Sequence, residues 1–561
     1  MQKYDVIIIG SGPGGLSAGV CLVREGKKIL ILEQHYVPGG WCHSFYLNGQ
    51  RFSPGVHYVG RMDKGQSTAN LFEGLGIAND LVFFKQNPNG YDNIMVGKEK
   101  VPLAATFEKM FESLANRFPH EKKRLKRYLN LARKVDKQID MMPNLKGLDF
   151  LILPFKLRHL MVFGFMRLTK VVNMFIKDPL LRDVLCGQWG DHGIPPAKAR
   201  FLMHCALMGH YDHGGYYPVG GGSGVVKAMT KVIKKFGGEI RVESGVKRII
   251  LEGETTKKAI GVELYNGETI YAEKVISNAD PHKTYEGMIG KGNLSKKLNK
   301  KLDETVYSFS SLIFFVTVDM DVKSFGIDSG NIWMTEDVGI DEQCRKMSNL
   351  DLLSPDEFPH VFLSCSTLKD PVSFNGRHHS FEMVALIENK LFDKFKGKEN
   401  YRTEEYLLYK EAIVKKFIKN LEKVLPGVSN HIIQSELGTP KTNEFYVDST
   451  QANVYGTEKN LKQLLFPFGL KSEIENLYLC GASVGTQGLS SACRSGVNVA
   501  AEILKTTTEK LLVSREEQNI RIYNAENPSE WPSWVFQKIK DKNNHLKLAE
   551  KKAAETLING A

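Results

Sequence analysis

The sequence predicts an α/β protein whose main sheet is Rossmann-like and discontinuous, assembled from three separated stretches of chain with an α+β domain inserted between them. Three observations predict it. Residues 5–9, Asp-Val-Ile-Ile-Ile, run straight into Gly10-Ser11-Gly12-Pro13-Gly14-Gly15. A block at 217–290 alternates helical and strand-like patterns around glycine turns. A third glycine turn, with Gly481 and Gly488, follows a strand-like run at 476–480 and opens a helix near 491–504.

The first run is continuous and β-branched, the pattern of a strand buried on both faces of a parallel sheet. The turn after it fits G-x-G-x-x-G. Gly10 permits the tight turn, Gly12 lets backbone N–H groups approach a pyrophosphate, Gly14 lies in the same turn, and Gly15 lets the helix pack close to the strand. The helix N-terminus adds its partial positive charge to the phosphates. A helical pattern follows to about residue 25, then a second strand at 28–32 that ends at Glu33. Glu33 lies 23 residues after Gly10, near the spacing of an acid that binds a ribose 2′-OH. It would repel a 2′-phosphate. A glycine turn without a ligand is the alternative, but strand, helix, second strand and terminal acid together predict a dinucleotide.

The first motif alone does not choose between NAD and FAD. Gly39-Gly40-Trp41-Cys42-His43-Ser44 places a second glycine pair directly after the second strand, and Gly481 and Gly488 add a third helix start far downstream. A simple NAD site has no need of it; FAD is longer and uses both ends of a discontinuous domain, so FAD is predicted. The middle block carries Tyr217-Pro218-Val219-Gly220-Gly221-Gly222-Ser223, a helix at 225–236 closed by Gly237-Gly238, and strand-like runs at 239–242, 246–251, 259–264, 269–272 and 274–280. Val246, which opens one of these runs, is assigned to the cofactor site. Asn266-Gly267 predicts a type I′ hairpin. A separate nucleotide site at 220–224 lacks the strand-then-acid pattern. The predicted boundaries are 1–75, 217–290 and 471–505 for the FAD-binding domain, 76–216 and 291–470 for the substrate domain, with strand-like runs at 311–318 and 360–365, and 506–561 for a charged helical C-terminal extension.

The 561 residues are 42% hydrophobic and 25% charged, which excludes a disordered, collagenous or coiled-coil chain. The net charge of +12 suits nucleic acid or anionic membrane, and no nucleic-acid-binding motif accompanies it. Lys122-Lys123-Arg124 with Lys126-Arg127 reads as a solvated helix face, or as a lipid contact, because 141–166 nearby is apolar and also basic. No window reaches 18 apolar residues, so a spanning helix is not expected and peripheral membrane contact is. The eight cysteines form no C-x-x-C pair, arguing against a zinc site or disulfide framework and for a reducing compartment. With no signal-peptide pattern at the start, the expectation is cytoplasmic. His210-Tyr211-Asp212-His213 reads as a polar loop, and no metal is assigned.

The motifs resemble a family. Gly10-x-Gly12-x-x-Gly15, Glu33-Gln34-His35, Gly39-Gly40-x-Cys42-His43, Gly55-Val56-His57-Tyr58-x-Gly60-Arg61-Met62, Ser277-Asn278-Ala279, Lys369-Asp370-Pro371 and Thr442-Asn443-x-Phe445-Tyr446 resemble, in order, the retinol saturases. These belong to the larger phytoene desaturase and carotenoid isomerase superfamily. The resemblance implies a glutathione-reductase-type FAD domain with an inserted substrate domain, and a lipophilic polyene substrate collected from membranes. Three departures stand out. Ser53 occupies the acid's place in F-D-x-G, Trp41 that of an arginine frequent in the superfamily, and Ser495-Gly496 ends the last motif as desaturases and isomerases do.

A flavin moves a hydride, and the protein orients the substrate carbon against it. Saturating a double bond also needs a proton on the neighbouring carbon, so a proton donor is expected. His57 and Tyr58 are the first candidates, because they follow the FAD half expected to reach the isoalloxazine; Tyr446 is next. The leading expectation is an FAD-dependent oxidoreductase that saturates a polyene. A redox-neutral cis–trans isomerase using reduced FAD, a desaturase, and a flavin-binding protein without turnover are the alternatives.

Overall fold

Tyr4–Ile9 is buried on almost every residue, as a continuous apolar run requires, and it forms the centre of a parallel sheet. The computed structural model describes residues 3–142, 153–254, 256–395 and 403–559. Across the sheet the order is Glu239–Arg241, Ile29–Leu32, Tyr4–Ile9, Thr269–Ser277 and Leu477–Leu479, all parallel. Strands from three distant stretches therefore share one sheet.

Two details differ from expectation. The runs at 269–272 and 274–280 are one strand, Thr269–Ser277, whose first half pairs antiparallel with Lys258–Leu264 and whose second half joins the parallel sheet. The exposed Glu273 only looks like a break in the sequence; its backbone stays extended. The hairpin before it exists, but not as type I′. Only Gly267 has a positive φ (+87°), and its N–H donates to Leu264 O at 3.0 Å. This is a type I turn closed by a left-handed glycine, the three-residue hairpin loop.

The helix Pro13–Arg24 leaves the first strand and crosses Leu489–Leu504 closely. A β-carbon on Gly496 would stand 2.0 Å from Gly14 O, and Ser17 Oγ donates to Cys493 O at 2.8 Å. That crossing brings the far end of the chain onto the first glycine turn.

The second sheet has seven strands in the order Ile432–Gly438, Ser310–Val318, His379–Ile387, His360–Cys365, Asn331–Thr335, Asp92–Val96 and Glu99–Leu103. One side packs on helices that include Lys122–Met141 and Phe201–His210. The other carries Glu404–Glu422, with Phe417 stacked on Phe314 at 5.5 Å.

The C-terminal extension is not only helical. Arg521–Asn524 pairs parallel with Val82–Lys85, which also pairs antiparallel with Tyr216–Pro218. Trp531 Nε1 donates to Asn524 O at 2.8 Å, and its ring meets Phe84 edge-on. A four-residue strand completes too few alternations to stand out from the helical patterns on both sides. Ser533–Asn559 follows, and Lys542 Nζ donates to Ser373 O at 3.2 Å.

Candidate cofactor and active site

The first glycine turn is shaped by its own backbone and by Asn278. Gly10 takes φ +87°. A β-carbon on Gly12 would lie 2.6 Å from Asn278 Nδ2, and one on Gly14 would lie 2.6 Å from Asn278 Oδ1. On Gly15 it would meet Gly10 O at 2.2 Å, so the third glycine is required by helix–strand packing. Asn278 follows Thr269–Ser277 at the carboxyl end of the sheet, where ligands bind in open α/β sheets. Its motif is visible in the sequence; its role is not.

Glu33 is buried and ties the loops together. Its carboxylate accepts from Ser11 N at 2.9 Å, Ser11 Oγ at 2.5 Å and His35 N at 3.0 Å. Ser11 Oγ in turn accepts from Gly39 N at 3.0 Å. The acid thus fixes the phosphate turn against the second glycine pair.

A cavity of about 470 Å³ runs along these loops. Gly10, Gly12, Gly14, Glu33, Gly40, Val246, Gly481 and Gly488 line it, whereas Gly15 and Gly39 stand behind its wall. Two helices start at the cavity, after Gly12 and after Gly488, and neither has a side-chain cap. Their first N–H groups are left for an anion, and the helix dipoles favour one. Bare glycines, two open helix starts and an acid at the end of the second strand fit the phosphates and ribose of FAD.

The same cavity continues to the second sheet, where Ile313, Trp333, Phe362, Val384, Leu386 and Tyr455 form an apolar wall. Trp333 Nε1 and His360 Nε2 are buried there without a hydrogen-bond partner. Burial lowers the His360 imidazole to about 3, so it stays neutral.

His57 lines the cavity, with Nδ1 3.0 Å from Glu382 Oε2 and its ring 5.1 Å from Phe362. Glu382 Oε1 accepts from Ser53 N at 2.7 Å. The Ser53 side chain points elsewhere: its Oγ is 3.0 Å from Ser44 Oγ, and a β-carbon on Gly221 would lie 2.0 Å from it, so the residue at this departure is packed tightly against the Gly220–Gly222 turn. Trp41 also lines the cavity, and its carbonyl lies 2.5 Å from where a β-carbon of Gly55 would be. Tyr58 does not line the cavity. It stacks on Tyr211 at 4.3 Å, and its hydroxyl reaches Asp92 Oδ2 (2.9 Å) and Asp191, which does line it. Tyr446, on Pro440–Val447, packs against His35 and His43 at 4.8 and 6.1 Å. It lines the cavity beside the Glu33 loop, and no ring contact or hydrogen bond among the described residues joins it to His57.

Sequence reading missed the charges behind this wall. Lys369 is fully buried and donates to His57 O at 2.8 Å, Ser364 Oγ at 2.8 Å and Asn331 Oδ1. Burial lowers its ammonium to about 8, against the pull of Glu382 and Asp92. Asp370 pairs with Arg51 and accepts from Gly220 N at 3.0 Å, anchoring the turn before Gly222–Lys235. The one available signal was Lys369-Asp370-Pro371, a matching motif with no chemistry attached. Around the loop at 210–213, His210 Nε2 accepts from Gly60 N, Asp212 from Phe107 N, and His213 pairs with Asp63.

Residues 13–310 match the family described as flavin containing amine oxidoreductase. The all-trans-retinol 13,14-reductase of Danio rerio is 28% identical over 529 residues, 90% of this chain and 86% of the relative. The chloroplastic prolycopene isomerase of Daucus carota is 27% identical over 521 residues, 90% and 80% of the two chains. Among solved structures, cyclohexylamine oxidase from Brevibacterium oxydans superposes with a TM-score of 0.57 at 15% identity, covering 91% of this chain and 100% of that one.

Proposed function

The chain belongs to the flavin-containing amine oxidoreductase family, and from that premise we propose that this FAD-dependent oxidoreductase saturates a carbon–carbon double bond of a lipophilic polyene, such as a retinoid or carotenoid. Bound FAD supplies the hydride exchange. Gly10, Gly12 and Gly14, the two open helix starts and Glu33 would hold its phosphates and ribose. One observation carries the substrate class: the cavity that begins at the glycines ends against Ile313, Trp333, Phe362, Val384 and Leu386, a wall for an extended apolar chain. The names of the retinol reductase and prolycopene isomerase relatives agree with it. Polyenes extracted from a host lacking the protein test the reading. Accumulation of one unsaturated precursor supports it, and an unchanged polyene profile overturns it.

A second reading, redox-neutral cis–trans isomerisation with reduced FAD, is favoured by the Ser495-Gly496 ending and by the isomerase relative.

Such a substrate is collected from lipid. Phe155, Met161, Val162, Phe165 and Met174 are exposed apolar side chains, with Arg158, Arg167 and Lys170 among them, the composition of an interfacial surface. Residues 143–152 of this segment lie outside the described residues. No helix among the described residues is long and apolar enough to cross a membrane. The proposed contact is therefore peripheral.

A further inference from the structure

Asp191 sits on the helical turn Trp189–His192, which is held from several sides. Gln487, beside Gly488, donates from Nε2 to His192 O at 3.2 Å. A β-carbon on Gly190 would lie 2.4 Å from the Trp333 ring, and one on Gly193 2.4 Å from the Tyr455 ring. The turn is thereby locked between the last glycine loop and the apolar wall, and Asp191 lines the cavity.

The Tyr58 hydroxyl lies between Asp191 Oδ2 and Asp92 Oδ2. A phenol carries one hydrogen, so it can donate to one carboxylate only; the other carboxyl has to carry a proton and donate to the phenol oxygen. Burial raises both carboxyls, and the hydrogen-bond donors around Asp92 mark it as the anion of the pair. Its Oδ1 accepts from Asn331 Nδ2 at 2.6 Å, and its Oδ2 accepts from Gln188 Nε2 at 2.6 Å and faces Tyr58. Among the described residues, Asp191 has no side-chain partner but Tyr58.

We propose that Asp191 stands in the cavity wall as a neutral carboxylic acid and is the proton donor to the substrate. The assignment rests on the polyene reading. The double bond accepts a hydride on one carbon, supplied by reduced flavin that an external two-electron donor recharges. Its second carbon takes the Asp191 proton. One C=C π bond is lost, two C–H bonds form, and Asp191 is left ionised until solvent reprotonates it through the cavity. Burial and the charge of Asp92 push the Asp191 carboxyl up to about 8, against Lys369, which favours its anion. Tyr58, Tyr211, Tyr91 and Tyr455 complete its titratable surroundings. His57 is placed differently, with one ring nitrogen turned to Glu382.

Two readouts test this on the flavin-loaded protein. The infrared spectrum of wild type minus Asp191→Asn is expected to show a neutral carboxylic acid C=O band at pH 7 that fades as pH rises through about 8. With dithionite-reduced enzyme and retinol or a poly-cis carotenoid, Asp191→Asn is expected to slow product formation on the order of 10²-fold or more, as loss of a general acid does, at unchanged flavin content. A missing band at pH 7, or an Asp191→Asn enzyme as fast as wild type, overturns the proposal. A wild-type enzyme inert towards both polyenes refutes the polyene reading instead, and the infrared band still decides whether Asp191 is held as an acid.

Discussion

The Asn278 amide stands over the first glycine turn so closely that a β-carbon on Gly12 would lie 2.6 Å from its Nδ2. Gly12 is therefore constrained by a side chain 266 residues downstream as well as by the phosphates of FAD proposed to lie over it. Gly12→Val places two methyl groups in that gap and over the helix N-terminus. Flavin is expected to be lost on desalting while the circular dichroism stays native; full flavin content in a folded variant would contradict the cradle.

Gly496 faces main chain rather than a flexible side chain. Its β-carbon would meet Gly14 O at 2.0 Å and Ser17 Oγ at 2.3 Å, so Pro13–Arg24 and Leu489–Leu504 would have to separate. Gly496→Val is expected to cost about 1–3 kcal/mol or more, the range of overpacked cores. A denaturant midpoint equal to wild type would show that the helices tolerate a wider spacing.

The acidity of Asp191 has a consequence for stability. Its carboxyl is raised to about 8 from 3.8, so between those values the native state binds more protons than the unfolded state. Stability then falls as pH rises through this window, by at most about 1.4 kcal/mol per pH unit. Asp191→Asn removes that slope. Urea midpoints of the variant and wild type are expected to diverge from pH 5 to pH 8 in favour of the variant; parallel curves would place the Asp191 carboxyl in its ordinary range.

The exposed apolar face makes its own prediction. Phe155 is 80% exposed and Val162 61%, beside basic residues. The protein is expected to float with liposomes, more with anionic than with neutral ones, and Phe155→Ser with Val162→Ser is expected to weaken flotation. A protein that stays in the soluble fraction with both liposomes would rule out the contact.

The cofactor half of the site was legible in the sequence because its constraints are local. Gly10, Gly15 and Glu33 are fixed by turn dihedrals, helix–strand packing and the length of one βαβ unit, all within thirty-odd residues. The charged half was not. Asp92 meets Asn331 because those residues are register partners, and Ser364 is opposite Glu382 for the same reason. Lys369 then bridges Asn331 and Ser364 from the end of the short helix Ser366–Lys369. Single charges in apolar strands hundreds of residues apart carry no spacing to read. Tyr58 was singled out because it follows the FAD half expected to reach the isoalloxazine, and the structure gives it a position between two carboxyl groups that no local pattern could reveal.

The most direct test of the central claim is the mass of the product formed anaerobically by dithionite-reduced enzyme from retinol and from a poly-cis carotenoid. Saturation gives a gain of two hydrogens, the expected result. An unchanged mass with altered double-bond geometry would select the isomerase reading. A loss of two hydrogens, seen only with oxidised enzyme and an external acceptor, or oxidation of an amine with both polyenes untouched, would contradict the proposed function.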